Sequence, residues 1–571
     1  MKQKSLFALS SILLASCSFS GQTSSSMSLP SEESSSAPFS SVSSASESER
    51  EYSSDSESSI PSETSEEVTS SLPSSEEPSS AEEFSSESLS SEAETSESSI
   101  ESISEIESES SEESASQSSL DSSSEQSSKP AEGPASPVGE DFLRFFSPEC
   151  VSQVRIDFSD DALSFISDYQ NSKSSRYADI YVPAKVSIDY GGTTYAYEEA
   201  GIRMKGNTSR ASFFDGTRFT RPVHFKISLK ATFDDPEYED SLLQGFKHDW
   251  SEDASGRKNR KNRNFLGLEK FDLKYVPRNY EECIVREIYA YRCFQNAGLM
   301  APYATLVETS LYGEHDHLDG TYEFVETIDK QFLKRRLSKT ESAGDLYKCT
   351  YNGMGKADFT RNGAIDKSTF ERIAYGKIGV EDTWNSYHPV YDLKTNEDNG
   401  ENSDFSKMSG LIATLWESVY GSKDASRLEN AVDVQEFLSF SAVSYLLGNF
   451  DDQRYDYNNF YLYFRPSDGK ALFLPYDWDW CLGLDLGHHM EELAPLDDWT
   501  LDGGTPSNAY QAILYGDLLP YAKEDYLSYV EDYAPSVLDA QAFADLANAY
   551  GHNSEIPSVQ AYMNAKRNRV G

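Results

Sequence analysis

Between Ser18 and about Gly139 close to half the residues are Ser, interleaved with Glu, and such a stretch cannot build a core. Burying its few apolar side chains could not offset the backbone entropy lost on ordering it. From Ser31 to Glu140 there are 28 acidic residues against two basic ones, so the segment also repels itself. Of the chain's aromatic residues, 30 Phe, 35 Tyr and 6 Trp, only five precede Asp141. Folding is therefore left to residues 141 to 571, which have ample material for a sizeable core. The full chain has 571 residues and a formal net charge of -47, a balance that excludes a sequence-independent nucleic-acid binder, since neutralising phosphates needs a basic surface. No run of 18 apolar residues occurs, which excludes a spanning helix.

The first 17 residues read as an address. Lys2 and Lys4 give a positive region, Leu6 to Ala15 a short apolar one, and Leu14-Ala15-Ser16-Cys17 matches a bacterial lipobox in which Cys17 is lipidated. This predicts a protein lipid-anchored to the outer face of a bacterial cell membrane. Residues 18–140 then form a disordered tether, residues 141–504 the folded domain, and residues 505–571 a C-terminal helical extension. The remaining cysteines, Cys150, Cys283, Cys293, Cys349 and Cys481, have no CxxC spacing and suggest neither a zinc cluster nor a disulfide framework.

The body mixes α and β signals, an α+β class. Val186, Ile188 and Tyr190 alternate up to Gly191-Gly192, and Thr193 to Tyr197 continue beyond, which reads as a hairpin. Ile202 to Met204 is a strand entering the small polar loop Lys205-Gly206-Asn207-Thr208-Ser209. A second strand carries Val223, Phe225, Ile227 and Leu229 on one face and Lys226 on the other. After a charged insertion, Asn279 and Glu282 make a capping box for a helix to Gln295 that contains Glu287 and stops at Gly298. Strands return at Tyr303 to Leu311 and Thr321 to Val325. Asp433 and Glu436 form another capping box, opening a helix that ends at Gly448.

Beyond Gly448 lies Asn449-Phe450-Asp451-Asp452, a strand from Asn458-Asn459 to Tyr463, a Ser467-Asp468-Gly469 turn, a strand Leu472 to Leu474, and Tyr476-Asp477-Trp478-Asp479. Four carboxylates and two amides thus return to one end of a hairpin, where they repel unless a cation joins them. Phosphoryl transfer requires such parts: a positioning carboxylate, an amide and a carboxylate on the metal, and a cation on the phosphates. Asp451 or its neighbour Asp452 would accept a hydroxyl proton, Asn459 and Asp477 would bind metal, and Lys226 would hold phosphates with Glu287 orienting it. His315-x-His317 and His488-His489 with Glu491 and Glu492 lack a third ligand at a defining spacing, and Trp478 and Trp480 read as packing.

Several ordered motifs together resemble the spore-coat protein H (CotH) kinase family. They are Arg203-Met204-Lys205-Gly206-Asn207-Thr208-Ser209, the Arg286-Glu287 helix, Tyr322-Glu323-Phe324-Val325-Glu326, and Asn459-Phe460-Tyr461-Leu462-Tyr463 followed by Pro475-Tyr476-Asp477-Trp478-Asp479. The resemblance covers roughly residues 145 to 500. It implies an atypical, protein-kinase-like fold of two lobes that transfers phosphate from ATP to protein Ser or Thr hydroxyls with Mg²⁺ or Mn²⁺. By motif position it implies Asp451 as catalytic, Asn459 and Asp477 as metal ligands, Lys226 as the nucleotide lysine with Lys205 its rival, and Glu326 as a nucleotide-site residue near the hinge between lobes. Two features depart from the pattern. Asp451 and Asn459 are eight positions apart, and no GxGxxG occurs, which leaves the Lys205 to Ser209 loop as the phosphate cover. The protein substrates include, as an expectation, the chain's own Ser-x-Glu-rich tail, which tethering holds near the site. The alternative reading is a non-catalytic surface or adhesion protein on a degenerate kinase-like scaffold.

Overall fold

The computed structural model describes residues 133–150, 152–172, 175–206, 209–275, 284–350, 357–359, 390–396, 406–496, 511–515 and 518–570. Cys17, the Ser/Glu tail as far as Glu132, and Asn207, Thr208, Asn279, Glu282 and Cys283 lie outside them. The chain divides into Met1–Leu120 and Asp121–Gly571, and all described residues belong to the second unit. Among them, no helix is long and apolar enough to cross a membrane.

Seven strands form a closed barrel. They are β1 (Ser152–Asp157), β2 (Val182–Tyr190), β3 (Thr193–Met204), β4 (Phe225–Ser228), β5 (Lys270–Tyr275), β6 (Ala304–Tyr312) and β7 (His317–Glu326), in the order β1-β2-β3-β4-β5-β7-β6. Neighbours pair antiparallel except β1 and β6, whose parallel pairing closes the ring. Alternation drives the curl: Val182, Ala184, Val186, Ile188 and Tyr190 of β2 all turn inward. The expected hairpin joins β2 to β3, with Gly191 and Gly192 at φ 59 and 79, the left-handed pair that a two-residue turn requires. Short helix α1 (Glu140–Phe145) brings Phe145 into the core, where its ring meets Tyr190, Phe265 and Phe324 at 4.9–5.6 Å.

Helix α2 (Asp160–Tyr169) packs on the barrel, α3 (Ala254–Lys261) lies in the charged insertion, and α4 (Arg286–Asn296) follows β5. Then come α5 (Lys330–Arg336) and a second sheet of β8 (Leu346–Cys349), β9 (Tyr391–Leu393), β10 (Phe460–Phe464) and β11 (Ala471–Pro475), ordered β11-β10-β8-β9. Helices α6 (Ser406–Tyr420), α7 (Ala425–Ala431) and α8 (Val434–Leu447) precede β10. Nearly all of α8 is buried, as an all-round apolar sequence demands. Asp433 caps it by accepting from the Glu436 N–H at 3.3 Å, and Gly448 ends it in the left-handed conformation. The reciprocal half of the expected capping box is absent, because the Glu436 carboxylate instead accepts from the Phe473 N–H of β11 at 3.1 Å.

Helices α9 (Ala522–Val537), α10 (Ala540–Ala549) and α11 (Ile556–Val570), set apart as an extension in the sequence reading, share one apolar core with α4 and α8. Glu555, fully buried before α11, accepts from the Val285 N–H at 2.8 Å and lies 3.4 Å from the Arg286 guanidinium. Tyr562 donates to the Leu446 carbonyl at 3.1 Å. The C-terminal helices thus brace both the start of α4, beside Glu287, and the end of α8, ahead of Asp451.

Candidate functional site

One cleft of about 350 Å³ gathers most of the residues singled out from the sequence. Its walls come from the ends of β3, β4 and β5 of the barrel and from β8, β9, β10 and the segment after β11. Both cations and carboxylates line it, an arrangement suited to a polyanion held together with a divalent cation.

Antiparallel register places the first of the cations. Arg203 pairs with Lys226 and Lys226 with Asp272, so these side chains share a face. Lys205 lies 2.9 Å from Asp272, and Lys226 lies 3.8 Å from its other oxygen. Burial would raise the Asp272 carboxyl, yet Lys205 and Lys226 overcome it and hold the group at about 2. The loop after Lys205 needs its glycine: Gly206 sits at φ 106, and a side chain there would collide with Ser209.

Lys274 lies on the same strand two residues beyond Asp272. It is buried, ion-paired to Glu287 of α4 and 2.5 Å from Asp477. Glu287 also accepts from the Tyr291 hydroxyl at 2.6 Å and the Trp478 N–H at 3.1 Å. Tyr291, one turn further along α4, accepts from the Asp477 N–H at 3.0 Å. A helix residue, a strand lysine and the turn after β11 are therefore locked into one network. Trp478 anchors that turn, with its ring edge-on to Phe294 at 4.8 Å and no exposed surface.

Two of the remaining lining residues stand on unusual backbone. Asn459 and Asp477 adopt φ 57 and 59, a left-handed region that Asn and Asp tolerate better than most residues and that clusters at functional sites. The Asn459 amide donates to both the carbonyl and the carboxylate of Asp451 at 2.9 Å, and Asn458 donates to the same carboxylate at 3.2 Å. Burial pushes the Asp451 carboxyl up to about 7, against these hydrogen bonds and aided by Asp456 and Asp477. A carboxyl in that range can exchange protons near neutral pH. Asp456, Asp479 and Asn459 line the cleft beside it.

Asp451, Asn459, Asp477, Lys205 and Lys226 thus meet in one cleft. Three expectations meet a different geometry. Asp452 turns away from the cleft into a fully buried ion pair with Arg454 at 2.6 Å, so of the two neighbours only Asp451 faces the cleft. Glu287 pairs with Lys274 of β5, whereas it was expected to orient Lys226, whose ammonium instead turns to Asp272. Glu326 is buried between Arg335 and Arg336 of α5, each at 2.7 Å, and does not line the cleft. Sequence reasoning missed Lys274, Asp272 and Tyr291. The signal was the alternation of Phe271 and Leu273 with Asp272 and Lys274, just ahead of the Glu287 helix. The histidine pairs stay apart from the cleft: His317 stacks on Tyr312 and His488 on Phe450.

The family model for CotH kinase protein matches residues 243–559. The chain belongs to the CotH kinase family. Lys274, Glu287, Asp451, Asn459 and Asp477 fall inside the matched range, whereas Lys205 and Lys226 precede it, so in this CotH protein part of the cationic wall comes from strands outside the match. No curated protein matches the chain.

Proposed function

We propose that this CotH protein is a protein kinase that transfers the γ-phosphate of ATP to Ser or Thr hydroxyls, acting outside a bacterial membrane to which Cys17 anchors it. The observation that carries this reading is the network joining Lys274, Glu287 and Asp477 at the cleft that Asp451 and Asn459 also line. Kinase catalysis needs a strand lysine on the phosphates, a helix glutamate holding it, a carboxylate and an amide on metal, and a carboxylate at the acceptor hydroxyl. Each part is present. The barrel with α4 plays the part of one lobe, and the helical body with its hairpin plays the other.

Lys274 would hold the nucleotide phosphates, kept in place by Glu287. Asp451 would orient the acceptor hydroxyl and take its proton, with Asn458 and Asn459 fixing its rotamer. The donors at Asn459 and Asp477 are oxygens only, the chemistry that suits Mg²⁺ or Mn²⁺, so these two residues would hold the ion. When bound, such an ion supplies charge neutralisation on the phosphate oxygens. The buried lysine shared by two carboxylates, close to the Asp451 carboxyl in the same cleft, favours this reading over a non-catalytic scaffold. The Ser-x-Glu tail is a substrate the tether would deliver.

Ligand-linked stability tests the binding half of this reading. The full-length protein should melt at higher temperature when Mn²⁺ and ATP are added together, by more than either alone produces, since a ligand that binds only the folded state stabilises it. No shift at millimolar nucleotide would count against it.

A further inference from the structure

Of the cleft's cations only Lys274 has a part in the reading above. Lys348 of β8 also lines the cleft, and among the described residues it is the lining cation without a carboxylate in ion-pair range. Arg203 and Arg210 share Asp179, Lys205 and Lys226 share Asp272, Lys274 has Glu287 and Asp477, and Lys394 has Asp392. The contacts of the Lys348 ammonium are the Tyr476 hydroxyl at 3.5 Å and the Tyr476 ring, 4.5 Å from its centroid. The Lys205 ammonium lies 5.2 Å from the same centroid. Two like charges converge on one ring.

We propose that Lys348 and Lys205, whose ammonium groups both approach the Tyr476 ring, form an anion subsite that takes a phosphate group beyond the α-phosphate of the bound nucleotide and joins the second sheet to the barrel through it. The proposal rests on the nucleotide reading and adds a residue of the second sheet to the site. Lys205 shares its ion-paired carboxylate, Asp272, with Lys226, so Lys205, Lys226 and Lys348 have one ion-pairing carboxylate between them. An anion of two or more charges would relieve that excess, and a phosphate oxygen accepts from an ammonium as a short, charge-assisted hydrogen bond. The charge crowding is also visible in Lys348 itself. Burial lowers its ammonium, and Lys205, Lys394 and Lys226 lower it further, to about 7, against the pull of Asp477. A bound phosphate would offset this crowding of like charge. Tyr461 and Tyr476, from β10 and the end of β11, complete its surroundings.

The test measures affinity of the full-length protein for Mn²⁺-ATP, Mn²⁺-ADP and AMP by titration calorimetry, with Lys348→Met and Lys348→Arg as variants. Loss of one charge-assisted contact should weaken ATP and ADP about ten- to a hundredfold in Lys348→Met, leave AMP within about twofold, and leave Lys348→Arg near the parent. Unchanged melting temperatures without ligand confirm that the variants fold. Parental ATP affinity in Lys348→Met would overturn the subsite, as would equal weakening of AMP and ATP. A parent protein that binds no nucleotide would instead overturn the kinase reading, and the subsite with it.

Discussion

Asp451→Asn is expected to abolish phosphate transfer and, in the presence of a metal chelator, to make the protein more stable at pH 8. A proton-accepting group commonly contributes about 10²–10⁴-fold to rate, and turnover should fall by that much. The stability gain follows from the same carboxyl. Its folded-state value of about 7 lies above the ordinary carboxyl value of 3.8, so the folded protein holds the proton more tightly than the unfolded chain. The stability that the neutral form supplies is present below the unfolded value and drains away as pH rises through the folded one. Asn has no charge to form, so its advantage should be nil at pH 3, grow as pH rises toward 7, and level off above. Chemical denaturation at several pH values reads this directly. Asp452→Asn should do the reverse: it leaves the Arg454 charge buried without its partner, and breaking such a pair typically costs about 3–5 kcal/mol. A fully active Asp451→Asn beside a folded but inactive Asp452→Asn would exchange their roles.

Lys274→Met should lower kcat/KM by about 10²–10³, the usual loss when one charged donor to the reacting group is removed. Lys226→Met should cost far less. Lys274 is held between Glu287 and Asp477, whereas Lys226 stands 3.8 Å from Asp272, which Lys205 also occupies. Burial lowers the Lys226 ammonium despite that partner, so its charge is the less secure of the two. Steady-state kinetics on both variants settles the order, and a larger loss in Lys226→Met would return the nucleotide role to β4.

How much of this was legible in the sequence depended on how local each cause was. The β10–β11 hairpin was readable because two short apolar runs and the Ser467-Asp468-Gly469 turn lie within one stretch, and α8 because Asp433 and Gly448 mark its ends. Asp451 and Asn459 could be named for the same reason. Choosing Asp451 over Asp452 could not be done on spacing, since the decision lies with Arg454, whose burial under Ser444 is tertiary. Lys274 hid in a six-residue strand whose polar face points into a closed cleft, a pattern that reads as solvent-facing until the partner wall is known. Glu326 looked like a cleft residue because the two arginines that claim it belong to the next helix. The barrel itself was invisible, because its closure is a parallel pairing between β1 and β6, the least local strand pairing in the barrel.

The most direct test of the central claim is whether this CotH protein moves phosphate at all. Full-length protein incubated with ATP and Mn²⁺ should gain phosphate-sized mass increments, mapped by peptide analysis to serines of the Ser-Glu tail, and the Asp477→Ala variant should gain none while still showing a cooperative melt. Equal increments in the variant, or none in a parent protein that binds Mn²⁺-ATP and is offered acidic serine peptides, would contradict it.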